Sequence, residues 1–263
     1  MILDTALYIL SGIISGSILG IIGAGSGIIA VVILVYLLNM PIHQAIVVAI
    51  FNTGVSALSN TLCSFYKKNL DLGLIIRILL PCLIFAPLGA KLSLLYDSTT
   101  LEILYSLLTI FVSFIMWNNA NRKDIVKPHV QDLAKNLRRK LFLKYFIIGS
   151  ITGLLSGLLG FSGGVIIVPG LVIFLHQPIK SATLNSIAII SITSLLSIIS
   201  HVQLGNSFNL NVALPFSLGG IIGMSIGRNL QKSISGTNIK KLFSIFLMLL
   251  GTAILIKKLS CKK

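Results

Sequence analysis

The chain has 263 residues, of which 55% are hydrophobic and only 10% charged, with a mean hydropathy of +0.99. A soluble domain carries about 25% charge, so these proportions exclude an ordinary soluble enzyme or binding module and indicate an all-α polytopic membrane protein. The net charge of +15 does not signal nucleic-acid binding. The basic residues gather in loops and at the C-terminus, where membrane topology rather than a nucleic-acid partner accounts for them.

Taken in chain order, breaks at charges, Gly and Pro give about eight apolar segments, near 6–39, 42–66, 72–95, 101–118, 141–176, 179–203, 208–230 and 239–257. No Asp, Glu, Lys or Arg occurs from Thr5 to Tyr66, from Tyr145 to Ile179 or from Ser181 to Gly227. Runs of this length must cross hydrocarbon, since about 20 apolar residues suffice for one helical span. The opening MILDTALYIL carries no Lys or Arg, so the first span is expected to be retained rather than cleaved as a signal peptide.

The first segment is too long for one upright helix. From Ala6 to Asn39 a helix would measure roughly 51 Å, against a hydrocarbon thickness of about 30 Å. Within it lies GIIGAGSG, Gly20 to Gly27, where four of eight residues are glycine. We expect a break here, either a tilted broken helix or a hairpin of two half-helices. A half-helix starting near Ser26 would present backbone N–H groups and positive dipole character, which attract anions. Gly23, Gly25, Ser26 and Gly27 are therefore candidate substrate-binding residues. Gly16 and Gly20, four apart, fit helix packing better.

The second segment carries Asn52, Ser56, Ser59 and Asn60 at helical spacing, a polar stripe that either bonds across helices or lines a pathway. Asn52 and Thr53 are candidate site residues. Arg77 in the third segment, and Lys91 and Arg228 near the ends of the third and seventh, are expected to reach the interface. The third and fourth segments end the first repeat, residues 1–117; a basic linker follows, NNANRKDIVKPHVQDLAKNLRRK, covering 118–140.

The second repeat, 141–263 with a short basic tail, resembles the first. An offset of 137 residues places GIIGAGSG on GLLGFSGG, Tyr8 on Tyr145, Gly12 on Gly149, Gly16 on Gly153, Pro41 on Pro178 and Ala45 on Ala182; one further residue places Gly89 on Gly227. Internal repeats in transporters set the substrate site near the midplane between the halves, where helices are interrupted. Ser162, Gly163 and Gly164 are thus the counterparts of the first break, and Asn185 and Ser186 join them from the sixth segment. Gly153 and Gly157 repeat the packing spacing.

All six acidic residues fall in loops or near span ends, so a carboxylate-based cation relay is not expected. His43, His129, His176 and His201 are scattered, and no metal-ligand spacing, HExxH or Ser-His-Asp set is present. GIIGAGSG fails as a nucleotide fingerprint because Ile28 stands at the last glycine position. Cys63, Cys82 and Cys261 form no CxxC pair and are expected to serve packing. No catalytic residue, metal or cofactor is expected.

The sequence resembles the sulfite exporter TauE/SafE family. The resemblance rests on the glycine-rich break in each half, best seen in GLLGFSGGVIIVPGLVIFLHQPIKSATLNS with Pro169, Pro178 and Asn185-Ser186; the first half departs from it with Val32 opposite Pro169 and Val48-Ala49 opposite Asn185-Ser186. It implies transport of small sulfur-containing oxyanions such as sulfite or organosulfonates. From the residues alone the expected partners are a small anion and the lipid bilayer, with no nucleic acid; homo-oligomerisation stays open. An anion channel and a non-transporting scaffold are the alternatives. Eight full spans would place 14 basic residues on the side of the central linker against six opposite, and two hairpins would place 15 against five. Either way the linker is expected in the cytoplasm of a cell-membrane protein.

Overall fold

The computed structural model describes residues 2–66, 70–93, 98–121, 135–159, 164–203 and 209–260, which are helical with no strand among them. The helices are α1 (Ile2–Ile22), α2 (Ser26–Val32), α3 (Ile42–Tyr66), α4 (Leu72–Ser93), α5 (Ser98–Asn118), α6 (Lys135–Leu159), α7 (Gly164–Pro169), α8 (Ile179–Gln203), α9 (Leu210–Ser233) and α10 (Gly236–Ser260). Six stretches among the described residues are long and apolar enough to span a bilayer, in α1, α3, α4, α8, α9 and α10; shorter apolar stretches lie in α5 and α6. Helix is what such sequences must form, because no water is present in hydrocarbon to satisfy backbone groups.

The long first segment is broken as expected. α1 stops at Ile22, α2 begins at Ser26, and α2 runs on into a π-helical turn at Ile33–Leu37. This turn closes with Leu38 N–H on Ile33 O at 3.2 Å and Met40 N–H on Leu34 O at 3.0 Å. Asn39 then takes a left-handed conformation, φ 50°, which Asn tolerates better than most residues. The fifth segment behaves alike: α7 leads into a π-helical turn at Gly170–Phe174, Gln177 N–H bonds Leu171 O at 3.1 Å, and His176 has φ 54°.

The chain forms two compact units, Met1–Asp71 with Thr183–Ile234, and Leu72–Ala182 with Ser235–Lys263. Each draws helices from both sequence halves. The halves are therefore interleaved in space rather than folded as separate bodies.

In the first unit, α1 and α9 lie backbone to backbone. A Cβ on Gly12 would fall 2.0 Å from Phe216 O, on Gly16 2.1 Å from Gly220 O, and on Gly20 2.6 Å from Met224 O. The rising numbers on both helices make them parallel. Against α9 pack Ala45, Val48 and Ala49 of α3 through Val212, Ala213 and Phe216, with Ala30 and Leu34 completing the buried cluster. Asn52, a turn further along α3, reaches Ser15 of α1. Thus α3 runs with α1 and α9. The stretch from α2 runs the other way, because Ser26 meets Thr53 while Ala30 and Leu34 meet the start of α3.

In the second unit, α4 and α6 pack in the same manner: a Cβ on Gly149 would lie 2.3 Å from Ile78 O, and on Gly153 2.3 Å from Cys82 O. α5 and α10 are antiparallel, joined by the mutual hydroxyl and carbonyl bonds of Ser113 and Ser244 and by the contact of Gly251 with Ser106 and Thr109. Small residues at these crossings let backbones approach, which is how helices gain packing energy when lipid offers no hydrophobic drive. Gly12, Gly16, Gly20, Gly149 and Gly153 are packing residues. Side-chain surroundings of Gly157 lie outside the described residues.

Candidate substrate site at the first glycine break

The break is built by two glycines in the left-handed region, Gly23 at φ 78° and Gly25 at φ 81°. An L-residue would be strained at either position. Gly23 N–H still bonds Leu19 O at 2.7 Å, ending α1, and the backbone ladder resumes with Ile29 N–H on Gly25 O at 3.4 Å. Between them the chain reverses. The first N–H groups of a helix have no partner within it, and Ser26 and Gly27 occupy those first positions in α2.

Three helices hold the break. From α8, the Ser186 hydroxyl is shared between Gly23 O at 3.0 Å and Thr183 O at 2.8 Å, and Thr183 Cγ2 would stand 2.4 Å from a Cβ on Gly23. From α3, Thr53 Oγ1 lies 3.2 Å from Ser26 Oγ. From α9, Gln231 Nε2 donates to Ile21 O at 2.7 Å, and Arg228 donates to Gln231 Oε1. Ser26, Thr53, Ser186 and Gln231 are all buried.

Gly27 differs from every packing glycine above. Its φ lies outside the left-handed region, and among the described residues the nearest atom to an added Cβ is Thr53 Oγ1 at 3.7 Å, an ordinary van der Waals distance. Neither backbone strain nor a close neighbour demands glycine here. It stands beside the hydroxyls of Ser26 and Thr53, which bond each other and are buried.

The structure thus brings together Gly23, Gly25, Ser26, Gly27, Thr53 and Ser186. Asn52 is next to them in sequence but turns to α1 and α9: its Nδ2 donates to Ser15 Oγ at 3.0 Å, its Oδ1 accepts from Ser56 Oγ at 3.4 Å, and Gly220 packs directly on it. Asn185 Oδ1 accepts from Asp71 N–H at 3.2 Å, tying α8 to the residues before α4. Ser162 and Gly163 lie outside the described residues. Gly164 is buried at the start of α7.

Sequence inspection named Arg228 as an interfacial cation but missed Gln231 and the bond between them. A polar i, i+3 pair following the small-residue face Gly220, Gly223 and Gly227 was the available signal, but its partner Ile21 lies 210 positions away and offers only a backbone oxygen. Among the described residues no cluster of His, Cys, Asp or Glu could hold a metal ion.

Comparison with known proteins agrees with this architecture. A family model described as Sulfite exporter TauE/SafE matches residues 8–254. The chain is 25% identical over 228 residues to a "Probable membrane transporter protein" of Xylella fastidiosa, covering 86% of this chain and 85% of that one. It is 24% identical to YunE of Bacillus subtilis, covering 93% and 95%, and 26% identical to a relative from Methanocaldococcus jannaschii, covering 95% of each; both carry the same description. With six candidate spans and a family match over nearly its whole length, the chain is a multi-pass membrane transporter belonging to the sulfite exporter TauE/SafE family.

Proposed function

We propose that this transporter moves a small sulfur-containing oxyanion, such as sulfite or an organosulfonate, and binds it at the first glycine break. The observation that carries the site is Gly27, a buried glycine that neither backbone strain nor packing against the described residues requires, set beside the hydroxyls of Ser26 and Thr53 at the start of a helix. Backbone N–H donors and hydroxyls suit an oxyanion because each supplies a proton to an oxygen without adding a competing negative charge. Gly23, Gly25 and Ser186 shape the turn. By sequence equivalence Ser162, Gly163 and Gly164 carry the same backbone chemistry, and Asn52 and Asn185 hold the neighbouring helices. The sulfur comes from the family's description.

We also propose that the two halves are inverted repeats. The two left-handed residues Asn39 and His176, the two π-helical turns, and the Gly12–Phe216 and Gly149–Ile78 contacts recur at offsets of 137 or 138 residues, which supports the repeat. The stretch from α2 reverses against α1 while α3 runs parallel to α1, which supports a first segment that enters and leaves on one side, with three crossing helices after it in each half and the linker 118–140 in the cytoplasm opposite both termini.

Thermal stability of the purified protein in detergent tests the substrate class, with sulfite, sulfate, thiosulfate, taurine, sulfoacetate, phosphate and chloride as the panel. A ligand that binds only the folded state raises apparent stability by mass action. A selective shift with one sulfur oxyanion is the expected outcome. A uniform response across the panel, or none, contradicts it, and saturable counterflow in liposomes separates a transporter from a channel.

A further inference from the structure

A broken helix creates an electrostatic difficulty for an anion. The C-terminal end of α1, with its outward carbonyls, is the negative end of a helix dipole and sits beside the turn at Gly23. An anion held at the break faces those carbonyls. Something must offset them.

Arg228 stands at that end. It is partly buried near the end of α9, its backbone N would lie 2.8 Å from a Cβ on Gly20, and its guanidinium donates to Gln231 Oε1 while Gln231 Nε2 donates to Ile21 O. The contact is arranged by glycine on both helices, since a Cβ on Gly227 would fall 2.2 Å from Ser17 O. Among the described residues no carboxylate pairs with Arg228. A partly buried cation without an anionic partner keeps its field available, and the low dielectric strengthens that field. The relay through Gln231 fixes the guanidinium against the end of α1.

We propose that Arg228 is a positioning residue for anion binding at the first break. Its charge neutralises the negative end of α1, and Gln231 holds it there. The proposal rests on the anion-transport reading above, but it concerns the charge of one residue rather than the identity of the site.

The test is anaerobic titration of wild type, Arg228→Lys and Arg228→Gln with sulfite, read as the half-saturating concentration for thermal stabilisation. Removing a favourable charge at a partly buried helix terminus weakens binding roughly five- to tenfold. Arg228→Gln is expected to show that loss with its ligand-free unfolding temperature little changed, and Arg228→Lys to recover most of the affinity. Unchanged affinity in Arg228→Gln overturns the proposal; so does equal weakening in Lys and Gln, which would mean that orientation of Gln231 and not charge matters. If Arg228→Gln fails to fold, Gln231→Glu sets a carboxylate against the guanidinium and is expected to weaken binding similarly, and unchanged affinity there overturns the proposal. A wild type that ignores sulfite sinks the sulfite reading itself and this inference with it, an outcome distinct from any variant result.

Discussion

The hydroxyl of Ser186 donates to the carbonyl of Gly23 at 3.0 Å, joining residues 163 positions apart and binding α8 to the turn where α1 ends. The left-handed Gly23 is pressed against Thr183 of the same helix. Gly23→Ala therefore meets both backbone strain and a steric clash, and it is expected to lower stability by about 1–3 kcal/mol. Thermal unfolding of the purified variant checks this, and an unfolding temperature equal to wild type would show that the turn tolerates a side chain.

A heavier loss is expected in the α1–α9 seam. Gly16→Ala drives a methyl into Gly220 O, and Gly223→Ala drives one into Ile13 O. Backbone cannot swing aside as a flexible side chain can, so both variants should lose folded yield in detergent, seen as aggregation on size-exclusion chromatography. Monodisperse variants at wild-type yield would refute the backbone contact.

The amide of Asn52 contributes modestly. Hydrogen bonds between membrane helices average about 0.6 kcal/mol and reach about 1.7 kcal/mol. Asn52→Ala should fall within that range, and combining it with Ser15→Ala should cost less than the two single changes together. Full additivity in the double-mutant cycle would mean that the two side chains are uncoupled.

Topology offers a test independent of any ligand. With Cys63, Cys82 and Cys261 replaced, single cysteines at Lys127 and Lys262 should react with an impermeant thiol reagent from opposite sides of the membrane. Labelling from one side would favour eight full spans and parallel repeats.

Much of this was legible in the sequence because glycine and charge are strong signals. The absence of charge marked the membrane segments, the crowding of Gly23, Gly25 and Gly27 marked the break, and four-residue spacing marked Gly16 and Gly20 as packing residues. Direction was not legible. Hydropathy is the same whether α2 continues α1 or folds back, and only the contact of Ser26 with Thr53 alongside that of Ala30 and Leu34 with the start of α3 sets its course. The left-handed Asn39 and His176 also gave no sign, since neither is glycine. The role of Gln231 depended on a backbone oxygen, which no side-chain pattern encodes.

The central claim is that Gly27 is kept for a ligand and not for the fold. Gly27→Ala adds one methyl in ordinary van der Waals contact and favours helix by roughly 0.5–1 kcal/mol, so the variant should fold at least as well as wild type. The measurement is the unfolding temperature of Gly27→Ala with and without the sulfur oxyanion that stabilises wild type. We expect an unchanged or higher temperature alone and a lost response to the anion. A variant that folds and still responds as wild type does would contradict the site.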